Sequence, residues 1–267
     1  MKHLREGSKS LILKEDMTVV SQREIAPRIF EMRLLGEMVH EMKAGQFLHL
    51  RVPDPSKLLR RPISISQIDK ENKTATLVYR VEREGTAILS SLTAGDRLDV
   101  MGPQGNGFDL SVLSAGQKAL LIGGGIGVPP LVETAKQLSA KGAEVISVLG
   151  FADKSAVILE DELRRYGKVY LTTDDGSYGV KGYVSTVIDE LSEEFDAVYS
   201  CGAPGMLKYV DKKFAQHPHA YLSLEARMAC GMGACYACVV HLKNQAEASN
   251  KRVCEDGPVF AAGEIEF

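Results

Sequence analysis

Three of this chain's five cysteines fall inside the stretch "RMACGMGACYACV", Arg227 to Val239. With one more further on, Cys230, Cys235, Cys238 and Cys254 read C-x4-C-x2-C-x15-C. Thiolates at short spacing bind zinc, hold an iron–sulfur cluster or act as a redox dithiol. The first three positions match the plant-type [2Fe–2S] pattern, in which the fourth cysteine comes from a distance. A zinc site more often uses two short knuckles, and Cys254 has no close partner in sequence, so zinc stands as the alternative. A dithiol at Cys235 and Cys238 leaves Cys230 and the surrounding glycines without a role. Gly231, Gly233, Ala234 and Ala237 leave space for backbone to wrap around sulfide and point N–H groups at it.

Composition bounds what surrounds this segment. At 267 residues, two or three compact units are expected. With 45% apolar and 25% charged residues and a formal charge of −3, the chain has no basic field for nucleic acid or anionic lipid. The opening "MKHLREGSKSLILKEDM" contains only the short apolar run Leu11 to Leu13, which is too short for a signal-peptide core. No run approaches the ~20 apolar residues that span a bilayer. A cytoplasmic location follows as an expectation, and clustered cysteines in a reducing compartment bind metal or do redox work.

Two further stretches could hold phosphate. In "LLIGGGIGVPPLVETAKQL", Gly123, Gly124, Gly125 and Gly127 lie between an apolar strand and a helix, where a tight turn and unpaired helical N–H groups suit a pyrophosphate. Pro130 stands where a third glycine would complete G-x-G-x-x-G, in the first helical turn that tolerates proline. Asp153, after the strand "EVISVLGFA", is a candidate for a ribose hydroxyl of NAD, although Lys154 beside it blurs the choice between NAD and NADP. In "LLRRPISIS", Arg61 can grip a phosphate bidentately with Ser64 nearby, and Pro62 and Ile63 sit between them. "LVYRVEREGTAILSSL" brings Val78, Tyr79 and Arg80 at a strand end and then Gly85 and Thr86 at a helix start, a second cradle for the same large cofactor. Cys201 ends the apolar run "DAVYS" before Gly202, Ala203 and Pro204. A lone cysteine there is an ordinary small buried residue, yet the carboxyl end of a parallel strand is where open α/β sheets bind ligands, so it is a nicotinamide-site candidate.

The elements that must position these residues are legible in outline. Residues 1–110 read as six turn-punctuated β-rich segments from "LILKEDMTVVSQREIA" to "DRLDVMG", several of them alternating apolar and polar residues, an antiparallel barrel or sandwich. Residues 111–218 alternate strand and helix, with "AVILEDELRRYG" and "VSTVIDELSEEF" as helices, which favours a parallel α/β sheet. Residues 219–267 carry the cysteines and read as a small third module.

In this order the motifs resemble the ferredoxin reductase superfamily, in which a flavin-binding barrel precedes a nicotinamide-binding domain. Its R-x-[YF]-S motif corresponds to Arg61, Pro62, Ile63 and Ser64, with Ile63 departing from the aromatic and Tyr79 a candidate for the missing ring. Its G-x-G-x-x-P corresponds to Gly125, Gly127 and Pro130, and its C-G-x-P to Cys201, Gly202 and Pro204. The resemblance implies that Arg61 meets the FAD pyrophosphate and that Ser64 lies near flavin N5. Within the superfamily, "SLEARMACGMGACYACVV" followed by "RVCEDGPVF" is similar to the electron-transfer subunits of B-type, NAD-dependent dihydroorotate dehydrogenases.

That resemblance implies FAD, a [2Fe–2S] cluster and NAD. It further implies an FMN-containing dihydroorotate dehydrogenase catalytic subunit as partner, two copies of each in a heterotetramer, serving de novo pyrimidine (UMP) biosynthesis. Electrons would run from the partner's FMN through cluster and FAD to NAD+, and the chain alone would not oxidise dihydroorotate. Two other functions stand beside it: an NAD(P)H reductase subunit serving ferredoxin or a hydrogenase, and a zinc-stabilised binding module that is no enzyme.

Overall fold

The computed structural model describes residues 12–243 and 249–267. The first eleven residues, read above for a leader, lie outside the described part. β1 (Leu13–Ala26), β2 (Ile29–Leu35), β3 (Phe47–Leu50), β4 (Arg61–Asp69), β5 (Thr74–Arg80) and β6 (Arg97–Gln104) form a closed barrel in the order β1-β2-β5-β4-β3-β6. Each coincides with one of the β-rich segments read in the sequence. Alternation puts Met17, Met32, Leu48, Ile65, Leu77 and Val100 inside, where all are fully buried. A short helix, α1 (Glu84–Leu89), leaves the barrel after β5.

The second unit is a sheet in the order β10-β9-β8-β7-β11-β12-β15. Its parallel strands are β7 (Lys118–Gly124), β8 (Glu144–Phe151), β9 (Lys168–Thr173), β10 (Val180–Lys181), β11 (Ala197–Cys201) and β12 (Ala220–Ser223). α2 (Pro129–Ala140), α3 (Glu160–Arg164), α4 (Val184–Ile188) and α5 (Pro204–Lys213) connect them. The chain builds outward from β7 on one side and from β11 on the other, so the carboxyl ends of these neighbours mark the switch point where open α/β sheets bind ligands.

Two helices are shorter than their sequence pattern suggests. Over 156–167 only α3 is helical, because Leu159 at its start adopts a left-handed φ of 59°. Over 184–195 only α4 is helical, ending at Asp189, whose carboxylate takes the Tyr209 hydroxyl at 2.8 Å and the Lys213 ammonium from α5 instead of continuing a helical surface.

The cysteine segment has one hairpin, β13 (Val239–His241) with β14 (Asn250–Arg252), and then β15 (Val259–Ala261), which joins β12 antiparallel at the edge of the large sheet. Two polar stitches bind the units. Glu133 of α2, 2% exposed, accepts the Ile68 N–H of the barrel at 2.8 Å, and Lys136 donates to the Ile68 carbonyl at 2.7 Å. Asn106, just past β6, donates its backbone N–H to Gly257 O at 2.7 Å, accepts the Val259 N–H at 3.1 Å and donates Nδ2 to Val259 O at 2.8 Å. A carboxylate as buried as Glu133 is tolerable because these donors replace its water.

Candidate functional site

At the mouth of the barrel is a cleft of about 240 Å³. β4 contributes Arg61, Pro62, Ile63 and Ser64, and β5 contributes Val78, Tyr79 and Arg80, with Thr86 from α1. The residues named from the two barrel stretches therefore share one wall, apart from Gly85. That glycine sits behind Arg61: a methyl group on it would lie 2.5 Å from Arg61 Nε and Nη2, so its bareness lets the guanidinium lie against the start of α1. The Thr86 hydroxyl caps its own helix, accepting the Glu82 N–H at 3.0 Å and donating to Arg83 O at 2.9 Å.

The adjacent arginines divide their work. Arg60 donates to Asp99 Oδ1 at 2.8 Å and to the carbonyls of His49 and Asp99, which ties β4 to its neighbours. Arg61 lines the cleft, with its Nη1 donating to the Leu59 carbonyl of its own loop. Tyr79 is only 2% exposed, with its hydroxyl donating to Gln22 Oε1 at 3.0 Å and its ring stacked at 6.2 Å on Phe30, and burial raises its pKa. Its ring is thus committed to the barrel interior, which leaves little of it to replace the aromatic that Ile63 lacks.

A larger cleft of about 940 Å³ opens at the sheet's switch point. Gly124, Gly125 and Gly127 from the turn after β7 line it, as do Gly202, Ala203 and Pro204 after β11. Gly127 has a specific reason to be glycine: a methyl group there would lie 2.4 Å from the Cys201 carbonyl oxygen. Gly123 and Pro130 are packing residues behind this wall. A methyl on Gly123 would lie 2.8 Å from Val128, and Pro130 is buried in the first turn of α2.

Two candidates lie elsewhere than expected. Cys201 is 1% exposed and absent from the lining of both clefts, and burial first, then the Glu225 charge, raises its pKa. It is a neutral thiol packed in the core. The Asp153 carboxylate accepts the N–H groups of Ser155 and Ala156 and the Ser155 hydroxyl, and those bonds from Ser155 lower its pKa. It caps a turn outside the cleft, whose acidic lining residues are Asp174, after β9, with Glu225 and Glu266.

The two clefts meet. Arg80, Ile126, Leu224 and Glu225 line both. Glu225 is exposed at this junction with protein on several sides, and desolvation first, then repulsion from Glu82, raises its pKa against the attraction of Arg80. Met228 also lines the smaller cleft, and the same segment reaches Cys230 two residues later. The segment 224–228 was missed as a cleft wall, because its side chains resemble an ordinary exit from β12. Its one signal was direct continuity with the cysteine motif.

The cysteines sort by depth and by pairs. Cys238 and Cys254 are buried, Cys230 is half-buried and Cys235 is exposed. Cys235 lies beside Cys230, and Cys238 beside Cys254. Backbone N–H groups also aim at sulfur: Met232 to Cys230 at 3.4 Å, Gly233 to Cys254 at 3.2 Å and Cys254 to Cys238 at 3.4 Å. Although burial raises the Cys230 pKa, the Met232 N–H and Cys235 overcome it and lower it to about 7. Burial and Cys238 push Cys254 up to about 12.

Two thiol pairs suit a two-iron cluster, which asks for two ligands at each iron, and N–H···S bonds are the contacts that tune such clusters. Among the described residues no three His, Cys, Asp or Glu side chains gather about a single ion position. Gly231 and Gly233, at φ 69° and 79°, shape the loop, and a methyl on Gly233 would fall 1.6 Å from Glu255 Oε2. Arg252 braces it by donating to Gly233 O at 2.7 Å and pairing with Glu255 at 2.7 Å.

Comparison with known proteins matches three family models along the chain. These are the oxidoreductase FAD-binding domain over residues 16–108, the oxidoreductase NAD-binding domain over 121–212, and the iron–sulfur cluster binding domain of dihydroorotate dehydrogenase B over 225–266. The chain is 75% identical over 255 residues to the "dihydroorotate dehydrogenase B (NAD(+)), electron transfer subunit" of Streptococcus thermophilus, covering 96% of this chain and 99% of that one. The protein of the same name from Geobacillus thermodenitrificans is 52% identical over 257 residues, again covering 96% and 99%. Among solved structures, an NADH-dependent reduced ferredoxin–NADP oxidoreductase superposes with a TM-score of 0.83 at 29% identity, covering 94% of this chain and 90% of its own.

Proposed function

Because the chain belongs to the electron transfer subunits of dihydroorotate dehydrogenase B (NAD(+)), we propose that its two joined clefts and its cysteine loop form one relay from a partner's FMN to NAD+. It is an oxidoreductase subunit with FAD, NAD and iron–sulfur domains, and its electron transfer to NAD+ serves pyrimidine biosynthesis. When bound, FAD supplies the conversion between the hydride pair of NAD(H) and the single electrons that a [2Fe–2S] cluster carries.

This chain's residues have separable tasks in that reading. Arg61, held over the bare Gly85, meets the FAD pyrophosphate, and β4 presents Ile63 and Ser64 to the flavin ring. Gly124, Gly125 and Gly127 admit the NAD pyrophosphate close to the backbone at the switch point, and Gly202 and Pro204 form the opposite wall. Asp174, the lining acid that follows β9, takes the ribose-hydroxyl role in place of Asp153. Cys230, Cys235, Cys238 and Cys254 are the cluster ligands, with the N–H groups of Met232 and Gly233 directed at their sulfurs. A flavin held by these residues would lie in the cleft that barrel residues share with Ile126, Leu224 and Glu225, while Cys235 is exposed to an incoming redox protein.

The observation that carries the reading is the shared wall. Arg80, Ile126, Leu224 and Glu225 border both clefts, and the segment that carries Leu224 and Glu225 runs directly into Cys230. The partner is a dihydroorotate dehydrogenase catalytic subunit, which we place in a cytoplasmic assembly of two copies of each chain. Among the described residues no helix is long and apolar enough to cross a membrane.

The test is co-purification with the untagged partner, followed by metal analysis, an absorption spectrum and an assay of dihydroorotate-dependent NAD+ reduction. Flavin, two irons per chain and activity only in the complex are expected. One zinc without flavin, or dihydroorotate oxidation by this chain alone, would overturn the reading.

A further inference from the structure

Neither the flavin cleft nor the thiol set uses a buried polar pair, His49 in β3 and Gln104 at the end of β6. Both are 0% exposed. Among the described residues, His49 Nδ1 and Nε2 and Gln104 Nε2 and Oε1 all lack a hydrogen-bond partner. A buried polar atom left unpaired forfeits its hydration with nothing in return, so four in one place call for a reason.

Their position supplies one. A methyl group on Gly231 would lie 2.3 Å from His49 Nδ1 and 3.0 Å from Gln104 Oε1, so both side chains end against the residue that follows Cys230. At its other side His49 stands opposite Pro62 in the β3–β4 ladder, one residue from Arg61. β3 and β6 are themselves paired, which holds the two side chains on one rigid surface. The imidazole thus fills the space that Gly231 leaves, between the strand that meets the flavin and the loop that carries the first thiolate. An imidazole with no protein acceptor for its N–H, and a carboxamide that presents its unpaired NH₂ in place of Oε1 after an amide flip, end beside the loop that carries the thiols.

We propose that His49 and Gln104 donate hydrogen bonds to sulfur of the [2Fe–2S] cluster on its Cys230 side and thereby raise its reduction potential. This rests on the cluster reading of the four cysteines. Donors to sulfur stabilise the more negative reduced state, so removing one lowers the potential.

The test uses the assembled holoenzyme. In EPR-monitored redox titrations, His49→Leu and Gln104→Leu are each expected to lower the equilibrium constant for one-electron cluster reduction about tenfold, equivalent to 59 mV for n = 1. His49→Gln, which keeps an N–H donor, is expected to recover part of the shift, and the flavin potentials should not move. Independently of any variant's folding, wild-type protein labelled with 15N-histidine should show a weak 15N coupling in pulsed EPR of the reduced cluster, and His49→Gln should lack it.

Full cluster occupancy with unchanged potentials in the leucine variants would overturn the proposal, and so would a wild-type cluster without 15N coupling. A wild-type holoenzyme with no [2Fe–2S] signal at all would instead overturn the cluster reading on which the proposal rests.

Discussion

Replacing Gly127 with alanine probes whether the turn after β7 and the end of β11 together form the nicotinamide wall. The new methyl would sit 2.4 Å from Cys201 O and 2.5 Å from both Cys201 C and Gly202 N, all backbone atoms. β11 is paired to β7 on one side and β12 on the other, so it has no easy direction in which to move. Because carbon contacts settle near 3.5–4.0 Å, turn and strand must separate by about 1 Å. Overpacking of this kind costs about 1–3 kcal/mol, and a misplacement of about 1 Å at a reacting site can cost about a hundredfold in rate.

The expected outcome is a fall of roughly tenfold to a hundredfold in kcat/KM for NAD+, with FAD content and dihydroorotate-dependent reduction of an artificial one-electron acceptor retained. Gly125→Ala is the comparison. A methyl there meets nothing within 4 Å, and only its φ of +52° resists, a backbone cost of about 1–2 kcal/mol. Its effect should be the smaller of the two. If Gly127→Ala kept wild-type kinetics with NAD+, the nucleotide would have to bind away from this turn.

Three further outcomes follow from other parts of the molecule. Arg61→Ala removes the guanidinium proposed to meet the FAD pyrophosphate and should weaken FAD retention by roughly tenfold to a hundredfold, the scale of a charge-assisted bond, read by flavin titration of the apoprotein; Gly85→Ala should do the same by displacing Arg61. Asn106→Ala breaks the side-chain stitch to Val259 and should cost about 1–3 kcal/mol, raising hydrogen exchange across β15 while β8 and β9 stay protected. Asp99 is held below its ordinary pKa of 3.8 because, although burial raises it, Arg60 and Lys14 lower it further. A depressed carboxylate contributes stability that is complete above 3.8 and lost as pH falls through its folded value, so wild type should lose stability more steeply below about pH 4 than Asp99→Asn in acid denaturation.

The barrel strands and the cysteine spacing were readable because each depends on local pattern. Alternation of two faces marks β1 to β6 without knowledge of their neighbours, and C-x4-C-x2-C is a contact set compressed into a few residues. What could not be read depends on partners far away in sequence. Arg60 and Arg61 are indistinguishable in "LLRRPISIS", and only the position of Asp99, 39 residues on, makes the first structural. Tyr79 looked available to a flavin, but its hydroxyl belongs to Gln22, 57 residues earlier. Asp153 had the right distance from the glycine loop for a ribose partner, yet its own following serine claims it, and local Asx capping of that kind competes invisibly with ligand binding. β15 was hidden in a short tail whose pairing with β12 requires the whole intervening loop to fold back.

These long-range contacts explain why the three units act as one. Electron transfer between fixed cofactors needs fixed separations, and separate domains joined by linkers would move relative to one another. Here polar clamps cross the junctions, one of them buried. Glu133 fastens α2 to Ile68 of the barrel, and Asn106 fastens the barrel to the segment beyond Cys254. β15 completes the nucleotide-binding sheet from within the cysteine module, so the cluster loop cannot drift from the nicotinamide cleft without tearing a strand from the sheet's edge. Glu225 and Met228, at the start of that module, wall the flavin cleft directly. The cysteine module therefore helps to wall both clefts, and on the proposed reading truncating it before Glu225 would open the flavin and nucleotide sites along with removing the cluster ligands.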